Sequence, residues 1–148
     1  MKTIVINIGN TNIRFGLFEG DECTRSWIIN TKPYKTSDEL ILQFTMLYQT
    51  HGIDAATIEK VIIGSVVPPL TQSVQRAMKK IHGFLPVLVD RDTPSPVRKK
   101  SKQMGSDIYA NLVAAHFLYP HKKKIILDFG TALTASCLDE SGETLGVI

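Results

Sequence analysis

Apolar positions along the chain fall into short blocks, and their spacing alternates between that of strands and that of helices. Ile4, Val5, Ile6 and Ile8 form a β-branched run that meets a polar turn, Gly9-Asn10-Thr11-Asn12, and a second run, Ile13 to Phe18, follows at once. Glu19-Gly20-Asp21-Glu22 is the next turn, and Cys23 to Ile29 reads as a third strand. Three such runs joined by short turns predict an antiparallel meander. Lys32-Pro33 breaks it. Thr36 and Glu39 then form a capping box, and Leu40, Ile41, Phe44, Leu47 and Tyr48 recur at helical spacing up to a stop at Gly52. The solid apolar run from Lys60 to Val67 predicts a central strand covered on both faces. Pro68-Pro69 opens a second helix, with Leu70, Val74, Ala77, Met78 and Ile81 inward and Gly83 at its end. Leu85 to Val89 is a further short strand. Asp90 to Met104 is a long polar loop with two prolines and five basic residues. Gly105-Ser106-Asp107 begins a third helix, with Ile108, Leu112 and Ala115 on its inner face. A strand then runs to Asp128, a turn contains Gly130-Thr131, and a last strand ends at the Asp139-Glu140-Ser141-Gly142 turn. The order βββαβαβα predicts an α/β fold, a mixed sheet with helices on its faces. Residues 1–120 form the first domain on this reading. Residues 121–148 begin a second domain of the same type, which is truncated.

The polar turns bring in the chemistry. Successive N–H groups in the turn Gly9 to Asn12 can converge on phosphate oxygens, with glycine allowing close approach and unusual φ. An ordinary hairpin explains the same residues. A second copy of the plan, an apolar strand leading into Asp128-Phe129-Gly130-Thr131, favours the anion cradle: two such hairpins facing one another suit a nucleotide's phosphate chain. Asp107 follows a glycine at a helix start. It reads either as a first-turn acid favoured by the helix dipole or as a general base taking a proton from a substrate hydroxyl. Asp128 at a strand end is placed to bind a cation, directly or through water. Thr131 can hydrogen-bond a phosphate oxygen or serve the turn alone. Ser65, Asn111 and Thr134 are weaker candidates with structural readings of their own. Phosphoryl transfer needs only positioning, charge neutralisation by a metal and a group to orient the acceptor hydroxyl, and these residues supply that set.

Composition narrows the class without adding a site. The chain has 148 residues, 43% hydrophobic and 21% charged, which suits a globular protein with a real core. No apolar run approaches the roughly 20 residues of a membrane span, and no signal-peptide pattern opens the chain, so a cytoplasmic location is expected. The net charge of +3 is too small to argue for nucleic-acid binding. Basic residues cluster at Arg98, Lys99, Lys100 and Lys102 and at Lys122, Lys123 and Lys124. Each cluster reads as a solvated face or as an attractor of an anionic substrate. The two cysteines, Cys23 and Cys137, and the four histidines show no metal-ligand spacing; the cysteines are expected to be reduced and partly buried.

Four stretches together resemble one family. Asn7-Ile8-Gly9-Asn10-Thr11 is similar to the first phosphate motif of type III pantothenate kinases, Asp-x-Gly-Asn-Thr. Gly64-Ser65-Val66-Val67-Pro68 resembles their Ser-Ser-Val-Val-Pro motif, Gly105-Ser106-Asp107 their Gly-x-Asp-Arg motif, and Asp128-Phe129-Gly130-Thr131 their second phosphate motif. The resemblance implies a ribonuclease H-like fold of the actin-like ATPase class, as in the acetate and sugar kinases. It implies ATP-dependent phosphorylation of pantothenate, the first step of coenzyme A biosynthesis, by a cytoplasmic homodimer using magnesium and a monovalent cation, potassium or ammonium. It places Asn7, Ile8, Gly9, Asn10, Thr11, Asn12, Ile13, Arg14 and Thr131 along ATP. It places Gly105, Ser106, Asp107 and Ile108 at pantothenate, with Asp107 as proton acceptor, and Asp128 at the monovalent cation. Asn7 stands where the family has Asp, Ile108 where it has Arg, and the loop before Gly105 lacks the family's usual tyrosine. Two further readings therefore stand beside the kinase: a relative that binds nucleotide without transfer and acts as an accessory factor in transcription, and an actin-like phosphotransferase with another acceptor.

Overall fold

The computed structural model describes residues 1–90, 92–98, 104–130 and 132–148. They form two compact units, Met1–Val89 and Asp90–Ile148.

In the first unit, β1 (Lys2–Ile8), β2 (Asn12–Glu19) and β3 (Glu22–Asn30) are the predicted meander. β4 (Lys60–Ser65) and β5 (Val87–Val89) continue the sheet in the order β3-β2-β1-β4-β5, with β1, β4 and β5 parallel. α1 (Ser37–Thr50) starts at the predicted capping box, with Thr36 and Glu39 bonded reciprocally. α2 (Pro68–His82) starts at the two prolines and ends at Gly83, whose φ of 79° is the left-handed conformation a helix stop requires. Ile4, Ile6 and Ile8 from β1, Ile13 and Phe15 from β2, Leu40 and Phe44 from α1 and Leu70 and Val74 from α2 make one core. Phe15 meets Phe44 edge-on with ring centroids 5.1 Å apart and stacks on Trp27 at 5.3 Å. Tyr48 Oη lies 3.1 Å from His82 Nε2. Burial raises the Tyr48 phenol above its ordinary range and lowers the His82 imidazole, because both lose water as charged species.

β4 is central, but full cover lies on one side only: Val61 and Ile63 are buried while Ile62 between them is half-buried. Cys23 is exposed rather than partly buried, because β3 is an edge strand whose first five residues face water.

In the second unit, α3 (Ser106–Leu118) packs on β6 (Lys124–Phe129) and β7 (Leu133–Leu138). β8 (Thr144–Val147) completes the order β6-β7-β8. The sequence had the last strand stop before Gly142; β8 is a strand beyond it. α3 turns Tyr109 and Leu112 inward, with Ile108 and Ala115 only half-buried. The helix is apolar nearly all round, so its periodicity does not select a face. α3 makes its contacts with β6 and β7, inside the unit Asp90–Ile148. No helix among the described residues is long and apolar enough to cross a membrane.

Candidate functional site

The β1–β2 hairpin closes at Ile8 opposite Ile13, leaving Gly9 to Asn12 as its tip. The Gly9 N–H donates to the Asn12 carbonyl at 3.0 Å, and a Cβ on Gly9 would stand 3.1 Å from that oxygen. A side chain there would crowd that carbonyl, so the close approach favours glycine. Its φ is not positive, contrary to the expectation from sequence; the positive-φ glycines are Gly20, Gly52, Gly83 and Gly142.

Asn7 lies opposite Arg14 on β2 and level with Gly64 on β4. Both side chains are exposed, while Ile6, Ile8, Ile13 and Phe15 are buried. Because successive strand residues face opposite ways, the Asn7–Arg14 pair stands on the sheet face away from α1 and α2. Asn10 and Thr11 are exposed at the tip.

The β6–β7 hairpin repeats this plan. It closes at Phe129 opposite Leu133, and the Gly130 N–H donates to the Ala132 carbonyl at 3.2 Å. Asp128, opposite Thr134, sits one pair back from the tip, the register position that Asn7 holds in the first hairpin. Thr131 lies outside the described residues, as do Lys99, Lys100 and Lys102 of the first basic cluster.

Asp128 is half-buried and held in place. Asn111 Nδ2 donates to its Oδ2 at 3.1 Å, and Oδ1 lies 3.8 Å from where a Cβ on Gly130 would stand, over the tip. Asn111, a weak candidate by sequence, thus orients a strong one. Asp107 is in the first turn of α3, where Gly105 is the N-cap and makes no side-chain cap bond. Its Oδ1 accepts the Ile108 N–H at 2.8 Å, which leaves Oδ2 outside that bond. Residues four apart share a helix face, so Asp107 and the Asn111–Asp128 pair occupy one side of α3. An open cavity of about 650 Å³ lies between α3 and β6, lined by Asn111, Tyr119, Lys123 and Asp128 among others.

Ser65 is structural: its hydroxyl accepts the Val67 N–H at 3.0 Å and lies 2.7 Å from the Thr71 hydroxyl, shaping the entry to α2. Within the polar loop, Val97 is buried and Arg98 pairs with Glu143 in a parallel bridge. The Arg98 N–H donates to Gly142, and its carbonyl accepts from the Thr144 N–H and hydroxyl. The sequence missed this stitch; a lone valine among polar residues was its only signal. It also missed Thr31, whose hydroxyl donates to the Gly9 carbonyl at 2.6 Å.

A family model described as type III pantothenate kinase matches residues 3–148. The chain belongs to the type III pantothenate kinase family. It is 38% identical over 146 residues to a type III pantothenate kinase of Finegoldia magna, covering 97% of this chain and 55% of that protein. It is 35% identical over 148 residues to one of Dehalococcoides mccartyi, covering 98% and 56%. The chain thus spans about half the length of the curated relatives it matches. Among solved structures, the activator of the 2-hydroxyisocaproyl-CoA dehydratase from Clostridium difficile with bound ADPNP aligns with a TM-score of 0.59 at 17% identity, over 100% of this chain and 45% of that one. The ROK hexokinase of Thermus thermophilus aligns with a TM-score of 0.54 at 15% identity, over 98% and 48%. At such identities these likenesses speak for the fold, which is ribonuclease H-like and of the actin-like ATPase class. The type III pantothenate kinase motifs recognised from sequence thus lie on a fold of the expected class.

Proposed function

We propose that this chain carries nucleotide-phosphate turns and the catalytic carboxylate of an ATP-dependent pantothenate kinase, making 4'-phosphopantothenate in the first step of coenzyme A synthesis. The observation that carries this reading is the family match across residues 3–148. The repeated hairpin register supports it, since two tips of one design are what a phosphate chain needs. Residues Asn7 to Arg14 and Thr131 take ATP. Gly105, Ser106, Asp107 and Ile108 take pantothenate. Asp107 accepts the proton of the acceptor hydroxyl, the hydroxyl oxygen forms a bond to the γ-phosphorus, and the bond to the ADP oxygen breaks.

The half-buried Asp128 carboxylate, with Oδ2 tied to Asn111 and Oδ1 over the Gly130 tip, fits a cation. In the proposal it holds potassium or ammonium, which supplies positive charge beside the phosphates. No group of three or more His, Cys, Asp or Glu side chains gathers to hold a metal among the described residues. This fits magnesium held mainly by substrate phosphates and water, with the Asn7 carboxamide as the nearest counterpart of the family's Asp. We further propose a cytoplasmic homodimer, with a first domain at 1–120 and a second beginning at 121. The apolar row Ile125, Leu127, Phe129 and Leu133, exposed on one sheet face, supports a larger second domain that covers it.

Asn7 and Ile108 favour a second reading, nucleotide binding without transfer. A coupled assay for ADP release separates the two. The kinase reading expects ADP formation that requires pantothenate; nucleotide binding with no pantothenate-dependent release would leave the accessory-factor reading.

A further inference from the structure

A turn that receives an anion must show it N–H groups and turn its carbonyl oxygens elsewhere. At the Gly9–Asn12 tip three carbonyls are accounted for. Asn12 accepts from the Gly9 N–H at 3.0 Å, within the tip itself. The other two are held by a single residue outside the hairpin: the Thr31 hydroxyl donates to the Gly9 carbonyl at 2.6 Å, and the Thr31 N–H donates to the Thr11 carbonyl at 3.0 Å. Thr31 follows β3 and is 1% exposed, so both of its donors are shielded from water on their own side of the bonds. A buried hydroxyl with a single short bond has one geometry to hold.

We propose that Thr31 is a positioning residue for nucleotide binding. By fixing the Gly9 and Thr11 carbonyls it keeps their negative ends off the phosphate and sets the tip's N–H groups toward it, without touching the nucleotide. This rests on the tip being a phosphate cradle, as proposed above. A purely structural latch between β3 and the hairpin would make the same two bonds. The two roles part in what a loss of the hydroxyl changes: a latch changes stability, a positioning residue changes affinity for phosphate.

Thr31→Val keeps the shape and removes the donor. Calorimetry on the full chain, with a magnesium complex of a non-hydrolysable ATP analogue, reads the effect. The loss of a hydrogen bond of this kind is expected to weaken binding about tenfold, with adenosine affinity unchanged. Thr31→Ser restores the hydroxyl and restores the affinity. Should Thr31→Val fail to fold, Thr31→Cys, a weak donor of similar size, is expected to bind the analogue more weakly than the unmutated chain and more tightly than Thr31→Ala. Wild-type affinity in Thr31→Val or Thr31→Cys overturns the proposal, as does an equal loss for adenosine and for the analogue. No binding by the unmutated chain overturns the phosphate-cradle reading itself and Thr31's role with it. Binding that is indifferent to Thr31 overturns only the role.

Discussion

Asp107→Asn is expected to lower pantothenate-dependent ADP formation by about 10²- to 10⁴-fold, the span that a positioned general base supplies, and to leave nucleotide affinity where it was. The substitution is close to isosteric. Its Oδ1 can still accept the Ile108 N–H that the carboxylate accepts at 2.8 Å, so the first turn of α3 keeps its geometry. What is lost is the ability to take a proton, together with a negative charge at a helix N-terminus, which is worth only about 0.3–1 kcal/mol of stability. Rate and stability therefore separate. The measurement is kcat alongside the nucleotide Kd and the unfolding midpoint. Full activity in the variant would remove Asp107 from the mechanism and return it to the other reading, a first-turn acid.

The largest stability effect is expected at Phe44. It is fully buried on α1, edge-on to β2's Phe15, in the core that α2 shares. Phe44→Ala is expected to cost about 3–5 kcal/mol, the transfer term of the lost ring plus the cavity it leaves. Leu42, two residues away on the same helix, is 72% exposed, and Leu42→Ala is expected to fall within about 0.5 kcal/mol of the parent. Equilibrium urea unfolding of the two variants compares them at one helix and one propensity scale. A small effect at Phe44 would mean that α1 does not cover the sheet that carries the first hairpin.

How much of this was legible beforehand follows from how local each signal is. The capping box at Thr36 and the proline start of α2 depend on neighbours within one turn, and both elements begin where those residues place them. The hairpin tips were legible for the same reason. The reason for Gly9 was not: the close approach of Asn12 is set by the path of the strand pair, whereas the sequence suggested close approach to a ligand and unusual φ. The face of α3 was hidden by its uniform apolarity. Asn111 and Thr31 were hidden by distance. Asn111 meets Asp128 from 17 residues away and Thr31 meets Gly9 from 22 away, and neither spacing has a periodic signature. The structural residues of the polar loop, Val97 and Arg98, became visible only as partners of β8. The positions of Asp107 at a helix start and Asp128 at a strand end suggested a proton acceptor and a cation ligand beside plain structural readings, and the motif resemblance favoured the former; the structure adds that one helix face carries both Asp107 and the asparagine that holds Asp128.

The account depends most on the two glycine tips being where nucleotide phosphates bind. Amide chemical-shift mapping of the full chain, titrated with a magnesium complex of a non-hydrolysable ATP analogue, tests this residue by residue. The expected result is that the largest shifts fall at the Gly9 to Asn12 amides and at those of Phe129, Gly130 and Thr131, with adenosine alone leaving both tips unmoved. Saturable binding with shifts confined to other surfaces, or shifts at the tips that adenosine reproduces, would contradict it.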